Sequence, residues 1–382
     1  MKKKFIYITF LNEDIRPGYK IKIHSQCKGV SQLGLKSYLF IVKEYGMALY
    51  EIGEDEVKIK EYRMNRPRKK QDRNISDEFY LFRFFIQKVK EAIQEINPDV
   101  VYIRRIVPIT PMLISFIKWI RNQDVKVIYE YPTFPWREEM KRNKQYLFYI
   151  LDVLFYKSLI DKLDAIAYIG NYEGKKDKYV KINNGVDVSG FKLHQKRNID
   201  DIGLIAVAHV GFYHGYDRVI EGLKLYYDTK PMRKVIFHIV GPIDKRLGLE
   251  KMVNERGLND VVIFYGYREM EDIDKIFEVS DIGIDCLGLF RRDINSASSL
   301  KSREYLARGI PYLTCGETDF DAHNLDFIFY EEAVEKSVDI GRLVKGYDNM
   351  KSTEEDIRTF AINNLSWTEQ MKTVLKSIER GK

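Results

Sequence analysis

Apolar runs of strand length alternate with helix-like periodicity along most of the chain. In the first half, near-continuous apolar runs predict strands at 4–10, 38–42, 48–52, 100–104, 125–130 and 165–169. In the second half, they predict strands at 202–210, 234–240, 261–265, 282–286, 312–315 and 327–330. Helices are predicted between them at 20–33, 77–96, 111–121, 138–162, 217–227, 245–256, 271–279 and 299–308. The stretch 334–378 is predicted to be wholly helical.

This alternation predicts the fold class. Strands that are apolar throughout and separated by helices indicate parallel sheets covered on both faces. Two such series predict an α/β protein with two doubly wound, Rossmann-like domains that face each other across a cleft. The predicted boundaries are 1–182 for the first domain, 183–200 for the linker, 201–364 for the second domain and 365–382 for a helix crossing back to the first.

Composition narrows the class of protein. The 382 residues are 45% apolar and 31% charged, as expected for a globular chain with two domains. The first apolar run is too short for a secretory leader, and no apolar stretch is long enough to span a bilayer. The three cysteines are far apart, which predicts a reducing cytoplasm, no disulfide framework and no metal-ligand cluster.

The net charge of +7 is unevenly spread. Residues 1–180 hold 34 Lys and Arg against 23 Asp and Glu, whereas residues 181–382 hold 29 against 33. A basic first half fits an anionic partner such as lipid headgroups, phosphate or nucleic acid. Its densest cluster, within 63–73, is either a solvated loop or a specific site. No recognised nucleic-acid motif accompanies it, so we expect no nucleic-acid partner and leave peripheral contact with an anionic membrane open.

The segment 298–311 carries the most specific chemistry. Ser298 and Ser299 suit a helix cap, and Lys301, Arg303 and Glu304 follow within the first turns. A helix N-terminus with added cations suits phosphate, and a carboxylate one turn further can accept hydrogen bonds from a pair of sugar hydroxyls. The alternative is an ordinary surface helix of mixed charge.

Three further loops fall where the carboxyl ends of second-half strands are expected, the edge at which such sheets bind ligands. The first holds glycines for close backbone approach and side chains that suit phosphate: Gly211, His214, Gly215 and Arg218. The second contains Gly241. The third contains Tyr267 and Arg268, where an aromatic ring could cover a base.

Residues 203–315 resemble the nucleotide-binding half of retaining glycosyltransferases of the GT-B fold, close to glycosyltransferase family 4. The matching segments occur in the family's order, at 210–211, 214–218, 239–241, 262–266, 280–283 and 304–311. Segments 97–104, 129–133 and 183–187 resemble bacterial polysaccharide glycosyltransferases, and 366–367 resembles the family's closing segment. The resemblance implies transfer of a sugar, with retention, from a nucleotide-sugar to a saccharide or lipid-linked saccharide, in cell-surface polysaccharide or capsule synthesis.

The resemblance also implies residue roles. The expected catalytic residues are Lys301, Glu304 and His214, with Glu304 holding the ribose hydroxyls. The expected donor-binding residues are Gly211, Tyr213, Gly215, Arg218, Gly241, Tyr267, Arg268, Arg292, Ser298, Ser299, Leu300 and Arg303. The expected acceptor-binding residues in the first domain are Gly18, Tyr19, Lys20, Glu130 and Thr133. Side-chain cations can stabilise the leaving diphosphate, so no metal and no cofactor are expected besides the nucleotide-sugar co-substrate.

The chain departs from the family pattern at Ser296, where the first glutamate of the paired motif belongs. Asn295 or Asp293 could substitute. The family's diphosphate cations are also not plainly present, and Lys301, Arg303, Arg218 or Arg292 could supply them. This departure keeps two alternatives open: a catalytically degenerate GT-B partner that binds sugar or protein, and a nucleotide-sugar epimerase of the same architecture. We expect a cytoplasmic protein, with the inner face of the cell membrane as one location.

Overall fold

The computed structural model describes residues 2–12, 17–64, 75–137, 140, 145–170, 177–195, 201–294, 296–297 and 299–379. They form two compact units. The first unit is Met1–Gly185 together with Ser366–Lys382, and the second is Val186–Leu365.

The first unit contains one sheet of eight strands. The strands are β1 (Lys4–Asn12), β2 (Lys36–Lys43), β3 (Gly46–Ile52), β4 (Glu56–Arg63), β5 (Val100–Arg104), β6 (Lys126–Phe134), β7 (Ala165–Gly170) and β8 (Tyr179–Lys181). Their order in the sheet is β4-β3-β2-β1-β5-β6-β7-β8. The helices are α1 (Pro17–Gln32), α2 (Ile75–Ile96), α3 (Pro111–Arg121) and α4 (Tyr146–Ile160).

The second unit contains a parallel sheet of six strands and a small two-stranded pair. The strands are β9 (Ile202–Val207), β10 (Val235–Val240), β11 (Val262–Gly266), β12 (Ile282–Ile284), β13 (Ser296–Ala297), β14 (Tyr312–Cys315), β15 (Glu317–Thr318) and β16 (Ile328–Glu331). The main order is β11-β10-β9-β12-β14-β16, and β13 pairs with β15. The helices are α5 (Tyr216–Asp228), α6 (Leu249–Glu255), α7 (Met270–Phe277), α8 (Leu300–Ala307), α9 (Ile340–Asp348) and α10 (Glu354–Leu365). The last helix, α11 (Trp367–Glu379), belongs to the first unit.

Helices cover both faces of the first sheet. Apolar side chains of α2, α3 and α4 pack on one face around Phe85, Phe116 and Leu159. On the other face α1 and α11 form a second core, in which Cys27 of α1 and Met371 of α11 are fully buried. This layered arrangement confirms the predicted α/β fold of two Rossmann-like units.

The first sheet differs from the prediction at one edge. The strands β2, β3 and β4 pair antiparallel, whereas the remaining described pairs of this sheet are parallel. The sequence of β4, Glu56–Arg63, is charged and mostly exposed, so it lacks the apolar run on which strand prediction relied. It was missed for that reason, and the short, partly exposed β8 was missed with it.

Several predicted elements are shorter than expected. The helix predicted at 245–256 is divided by Gly248, which adopts the left-handed conformation at a φ of 62° and caps a short 3-10 turn before α6. The predicted helical tail, 334–378, consists of three helices separated by loops. Part of the predicted helix 138–162 lies outside the described residues, and its described portion begins at Tyr146.

Candidate functional site

The N-terminus of α8 holds a mostly buried cation. The Ser299 hydroxyl caps the helix by accepting from the Lys301 and Ser302 backbone N–H groups, and it donates to Asp285 Oδ1 at 2.8 Å. The Lys301 ammonium lies 3.4 Å from Asp285 Oδ1, 3.4 Å from the Tyr216 hydroxyl and 3.2 Å from Cys286 Sγ. Burial opposes its charge, yet its interactions with the Tyr216 hydroxyl and the Asp285 carboxylate leave the pKa of Lys301 well above the usual value.

A glycine-flanked turn brings His214 to this cation. The backbone N–H of Gly211 donates to His214 Nδ1 at 2.9 Å, so the neutral ring carries its proton on Nε2. Burial, together with the charges of Lys301 and Arg292, lowers the pKa of His214 to about 3. Lys301, Arg292 and His214 are therefore close enough to share one electrostatic environment, and His214 is an uncharged donor at neutral pH.

Gly215 allows this turn to lie against the loop that follows β12. It adopts a φ of 66°, and a Cβ at this position would stand 2.7 Å from the Leu287 carbonyl carbon. The Leu287 N–H donates to the His214 carbonyl at 2.8 Å, which fixes the contact. Beside it, the exposed Arg292 guanidinium stacks 3.7 Å from the centre of the Tyr213 ring. We call Gly211, His214, Arg292, Ser299 and Lys301 the cation cluster.

Two arginines that we expected at the phosphate bind other groups of the second unit. The Arg218 guanidinium donates to the backbone carbonyls of Lys336 (2.6 Å), Glu332 (2.9 Å) and Leu287, so it joins three loops. The Arg303 guanidinium is 1% exposed, pairs with Asp319 and lies over the Phe320 ring. Both guanidinium groups are buried and bind groups of the protein itself, and their expected donor-binding roles stay predictions.

Glu304 lies one turn beyond Lys301 and is held by an arginine. Its Oε1 accepts from Arg308 Nε at 3.1 Å and Nη2 at 3.0 Å, and Arg308 also contacts Asp274 at 2.7 Å. Burial raises the pKa of Glu304 despite the nearby Arg308 charge. Sequence reasoning missed Arg308, although its position four residues after Glu304 on a helix is the spacing of a side-chain ion pair.

The remaining predicted donor residues are dispersed along the same sheet edge. Gly241 follows β10, has a φ of 117° and donates from its N–H to the Gly266 carbonyl at 2.8 Å. Tyr267 and Arg268 follow β11 and are exposed, and Leu300 is exposed at the start of α8. Ser298 and Asn295 lie outside the described residues. The backbone of Ser296 pairs with Glu317 in β13, and Asp293 is exposed in the left-handed conformation.

In the first unit, Glu130 is the centre of a buried polar network rather than an accessible site residue. It is fully buried and contacts the Tyr7 hydroxyl (2.8 Å), Lys22 Nζ (3.2 Å) and Arg104 Nη1 (3.2 Å). Burial opposes its charge, but Lys22 and Arg104 outweigh that effect and lower the pKa of Glu130 to about 2. Burial lowers the pKa of Lys22 to about 8. Glu130 is therefore a carboxylate whose oxygens are already used.

The other predicted acceptor residues lie at two places in the first unit. Gly18, Tyr19 and Lys20 form the first turn of α1 rather than a loop before it, and the Tyr19 ring lies 5.2 Å from the Arg104 guanidinium carbon. Thr133 is exposed, but within β6 and not in a loop past its end, since β6 continues to Phe134. The strand predicted at 125–130 therefore ends four residues later than expected, at Phe134.

A cavity of about 440 Å³ opens beside Arg308 in the second unit. It is lined by Asp274, Phe277 and Glu278 and by residues 192–195, none of which we predicted as site residues. Among the described residues, no group of three or more His, Cys, Asp or Glu side chains is arranged to hold a metal ion.

No protein-family model matches the sequence, and no curated protein matches it either. Solved structures do match over the whole chain. Sucrose-phosphate synthase from Thermosynechococcus elongatus is 12% identical with a TM-score of 0.63, and each chain is covered completely. HepE from Anabaena, solved with UDP, is 11% identical with a TM-score of 0.59, covering 99% of this chain and all of HepE. A putative UDP-N-acetylglucosamine 2-epimerase from Listeria monocytogenes is 11% identical with a TM-score of 0.54, covering 99% and 96%. The chain therefore has the fold of GT-B proteins.

Proposed function

We propose that this chain is a glycosyltransferase that moves a sugar from a nucleotide-sugar donor to a saccharide or lipid-linked saccharide acceptor. The observation that carries the proposal is the mostly buried Lys301 ammonium at the N-terminus of α8, beside neutral His214 and exposed Arg292. Helix N–H groups and cations together suit a diphosphate. The fold shared with HepE, whose structures contain UDP and UDP-glucose, supports a nucleotide-sugar as the donor.

In this proposal the cation cluster stabilises the leaving nucleoside diphosphate. Negative charge grows on the phosphate as the glycosidic bond breaks, and fixed donors aimed at that charge lower the barrier. His214 donates from Nε2, and Arg292 approaches from the exposed side. One Lys301 contact is to a thiol, Cys286, and a thiol is a weak acceptor. A phosphate oxygen is a stronger acceptor, so Lys301 would form a more favourable contact with a phosphate than with the thiol.

The proposed transfer proceeds with retention and without a metal. Departure of the diphosphate from the face that the acceptor approaches lets the acceptor hydroxyl pass its proton to the leaving phosphate. No side-chain base is then required, and Lys301 and Arg292 supply the charge that a divalent ion supplies in other enzymes. Transfer unaffected by a chelator would support this part, whereas loss of transfer on chelation that is restored by a divalent ion would refute it. The biological setting we propose is cell-surface polysaccharide synthesis at the cytoplasmic face of the membrane.

A nucleotide panel with a matched pair of variants tests the donor site. A ligand at a hundred times its Kd stabilises the folded state by about 2.7 kcal/mol, so UDP-, GDP- and ADP-sugars can be ranked by their shift of the melting temperature. We expect Lys301→Met to lose the shift and transfer, while Lys275→Met, which removes an exposed lysine of α7, keeps both. Lys301→Met also leaves Asp285 without its cation, which lowers the melting temperature of the variant even without ligand. The quantity to compare between variant and wild type is therefore the shift of the melting temperature on adding ligand. A full shift in Lys301→Met would reject the site.

The pentose contact of Glu304 is tested by ligand chemistry. We expect wild type to bind the nucleoside diphosphate more tightly than its 2′-deoxy form, because a carboxylate accepts hydrogen bonds from both ribose hydroxyls. Glu304→Gln should reduce that preference and weaken the ribonucleotide about tenfold. An unchanged preference in the variant would remove Glu304 from the site.

The shared fold of the Listeria protein keeps an epimerase as the second candidate. Incubation with the nucleotide-sugar and no acceptor distinguishes the two reactions. An epimerase converts the donor to its epimer, whereas a glycosyltransferase leaves it intact or hydrolyses it slowly. A protein that binds the donor but neither transfers, hydrolyses nor epimerises it would be a degenerate binding partner.

A further inference from the structure

The outward face of α4 in the first unit is apolar along its whole length. Leu147 and Leu154 are 66% and 67% exposed, and only Asp152 and Leu159 of this helix are buried. The exposed large apolar side chains of the helix are Tyr146, Leu147, Phe148, Ile150, Val153 and Leu154. A surface helix ordinarily turns polar residues to water, and a contiguous exposed apolar patch indicates a contact surface.

The spacing of these residues places five of them on one stripe. Tyr146, Leu147, Ile150, Val153 and Leu154 recur at intervals of three, four and seven residues, which is one helix face. Exposed Lys157 continues the stripe at its C-terminal end. The acidic residue of the helix, Asp152, points inward, where it accepts from the Ile109 N–H at 2.6 Å and pairs with Arg105 at 3.0 Å. The described stripe therefore carries a cation and no anion.

We propose that this face of α4 is a membrane-docking surface that lies in the headgroup region of an anionic bilayer. An apolar helix face with cationic flanks binds such an interface through buried apolar area and charge attraction. The surplus of cations in residues 1–180 has the sign that this attraction needs. With 15 residues α4 is shorter than the roughly 20 needed to span the hydrocarbon core, and no described helix is long and apolar enough to cross it.

The size of the stripe favours a bilayer over a second copy of the chain. A helix of 15 residues is about 22 Å long and about 10 Å wide, which gives a contact face of roughly 220 Å². A stable protein interface buries about 800 Å² on each partner. A bilayer accepts a single apolar helix without a complementary surface, so α4 by itself is sufficient for docking.

Topology places the beginning of this surface at the edge of the sheet where the acceptor residues are expected. Since α4 connects the parallel strands β6 and β7, its N-terminal end lies at their carboxyl edge. Thr133 near the end of β6 and Tyr19 in the first turn of α1, the helix that follows β1, belong to that same edge. Docking by α4 would thus hold this edge near lipid headgroups, where a lipid-linked saccharide is presented. This last step rests on the proposed function, whereas docking does not.

Flotation with vesicles tests the docking surface. The full chain is mixed with vesicles of phosphatidylcholine alone or with added phosphatidylglycerol, and the partition coefficient is measured. We expect binding that increases with phosphatidylglycerol, a loss of about tenfold or more in Leu147→Gln/Leu154→Gln, and about fivefold in Lys157→Gln on anionic vesicles. The matched control is Leu225→Gln, which changes a leucine that is 58% exposed on α5 of the second unit and should bind as wild type.

Three outcomes would overturn the proposal. They are no binding of wild type to anionic vesicles, equal binding by the double variant, and a wild-type dimer in sedimentation that the double variant abolishes. The nucleotide-induced thermal shift is measured on the same samples. Because α4 lies in the first unit and the cation cluster in the second, loss of docking with an intact nucleotide shift separates a failure of docking from a failure of the proposed function.

Discussion

Burial and neighbouring charge keep His214 neutral. The ring is 4% exposed, accepts a backbone hydrogen bond at Nδ1 and faces the charges of Lys301 and Arg292. Burial and the two positive charges disfavour a second proton and outweigh the Gly211 carbonyl and Asp285, which favour it, so the pKa of His214 falls to about 3. His214 is therefore suited to donate one proton in a hydrogen bond without adding charge.

This environment predicts a pH dependence of stability. Below about pH 6.5 the unfolded chain protonates His214, whereas the folded protein does not until about pH 3, so the unfolded state binds more protons in that window. The free energy of unfolding should fall as the pH drops from 6.5, with His214 contributing up to about 1.4 kcal/mol per pH unit. Urea unfolding between pH 6.5 and 5 should show a shallower loss in His214→Asn. Equal slopes would mean that the folded ring titrates normally.

At the scale of single residues, the sequence predicted which residue types form the site but not which groups of the protein their side chains contact. Lys301 and His214 were singled out by spacing, and the structure brings them together. Arg218 and Arg303 have the same charge and similar positions, but their guanidinium groups are bound by carbonyls and by Asp319. Those acceptors lie up to 118 residues away in sequence, so no local pattern could reveal that these two cations bind other parts of the protein.

At the scale of elements, the position of α8 depends on a glycine in the strand beneath it. A Cβ at Gly283 of β12 would stand 2.4 Å from the Tyr305 ring, which is fully packed and donates its hydroxyl to the Ile284 carbonyl at 3.1 Å. The helix can therefore lie flush on the sheet with its N-terminus at the cation cluster.

We expect Gly283→Ala to displace α8. Overpacking of this kind costs about 1–3 kcal/mol, which denaturant unfolding would detect, and nucleotide affinity should fall because Lys301 moves with the helix. Gly190→Ala is the control, because no atom lies within 4 Å of its added Cβ and we expect near wild-type behaviour. Unchanged stability and affinity in Gly283→Ala would show that α8 is not seated by this contact.

Helices and strands were predictable where their buried positions form a recognisable apolar pattern in the local sequence. The interior strands and α3 were found because apolar runs and a helix cap specify them, with Thr110 accepting from the Leu113 N–H at the start of α3. The edge strand β4 was not found, because most of its positions are solvated and its polar sequence is typical of a loop. The continuation of β6 past Pro132 was also missed, because pairing with β7 outweighs the tendency of proline to end a strand.

At the scale of the whole molecule, the first unit is assembled from both ends of the chain. The helix α11 buries Met371 and Val374 in the core beneath α1. The two helices approach closely at Gly29, where a Cβ would stand 2.8 Å from the Thr368 nitrogen. The resemblance of Ser366-Trp367 to a family segment suggested this return, but the depth of its burial follows from long-range packing that a single sequence does not display.

Removing one side chain of α11 should therefore destabilise the first unit. Met371→Ala leaves a cavity in a fully buried core, at a cost of about 2–5 kcal/mol. Hydrogen exchange should rise in α1 and β1 and not in α5 or β10 of the second unit. Met232→Ala, at a fully exposed methionine, is the control. A uniform rise in exchange across both units would indicate that they unfold as one.

The return of α11 also constrains synthesis on the ribosome. Residues 1–185 are translated first, yet their second core stays open until residues 367–379 have emerged from the exit tunnel. The second unit, continuous from 186 to 365, can complete its own core earlier. The nascent chain thus carries an uncovered apolar surface on residues 1–185 while residues 186–366 are being translated, and chaperones would be expected to bind it during that interval.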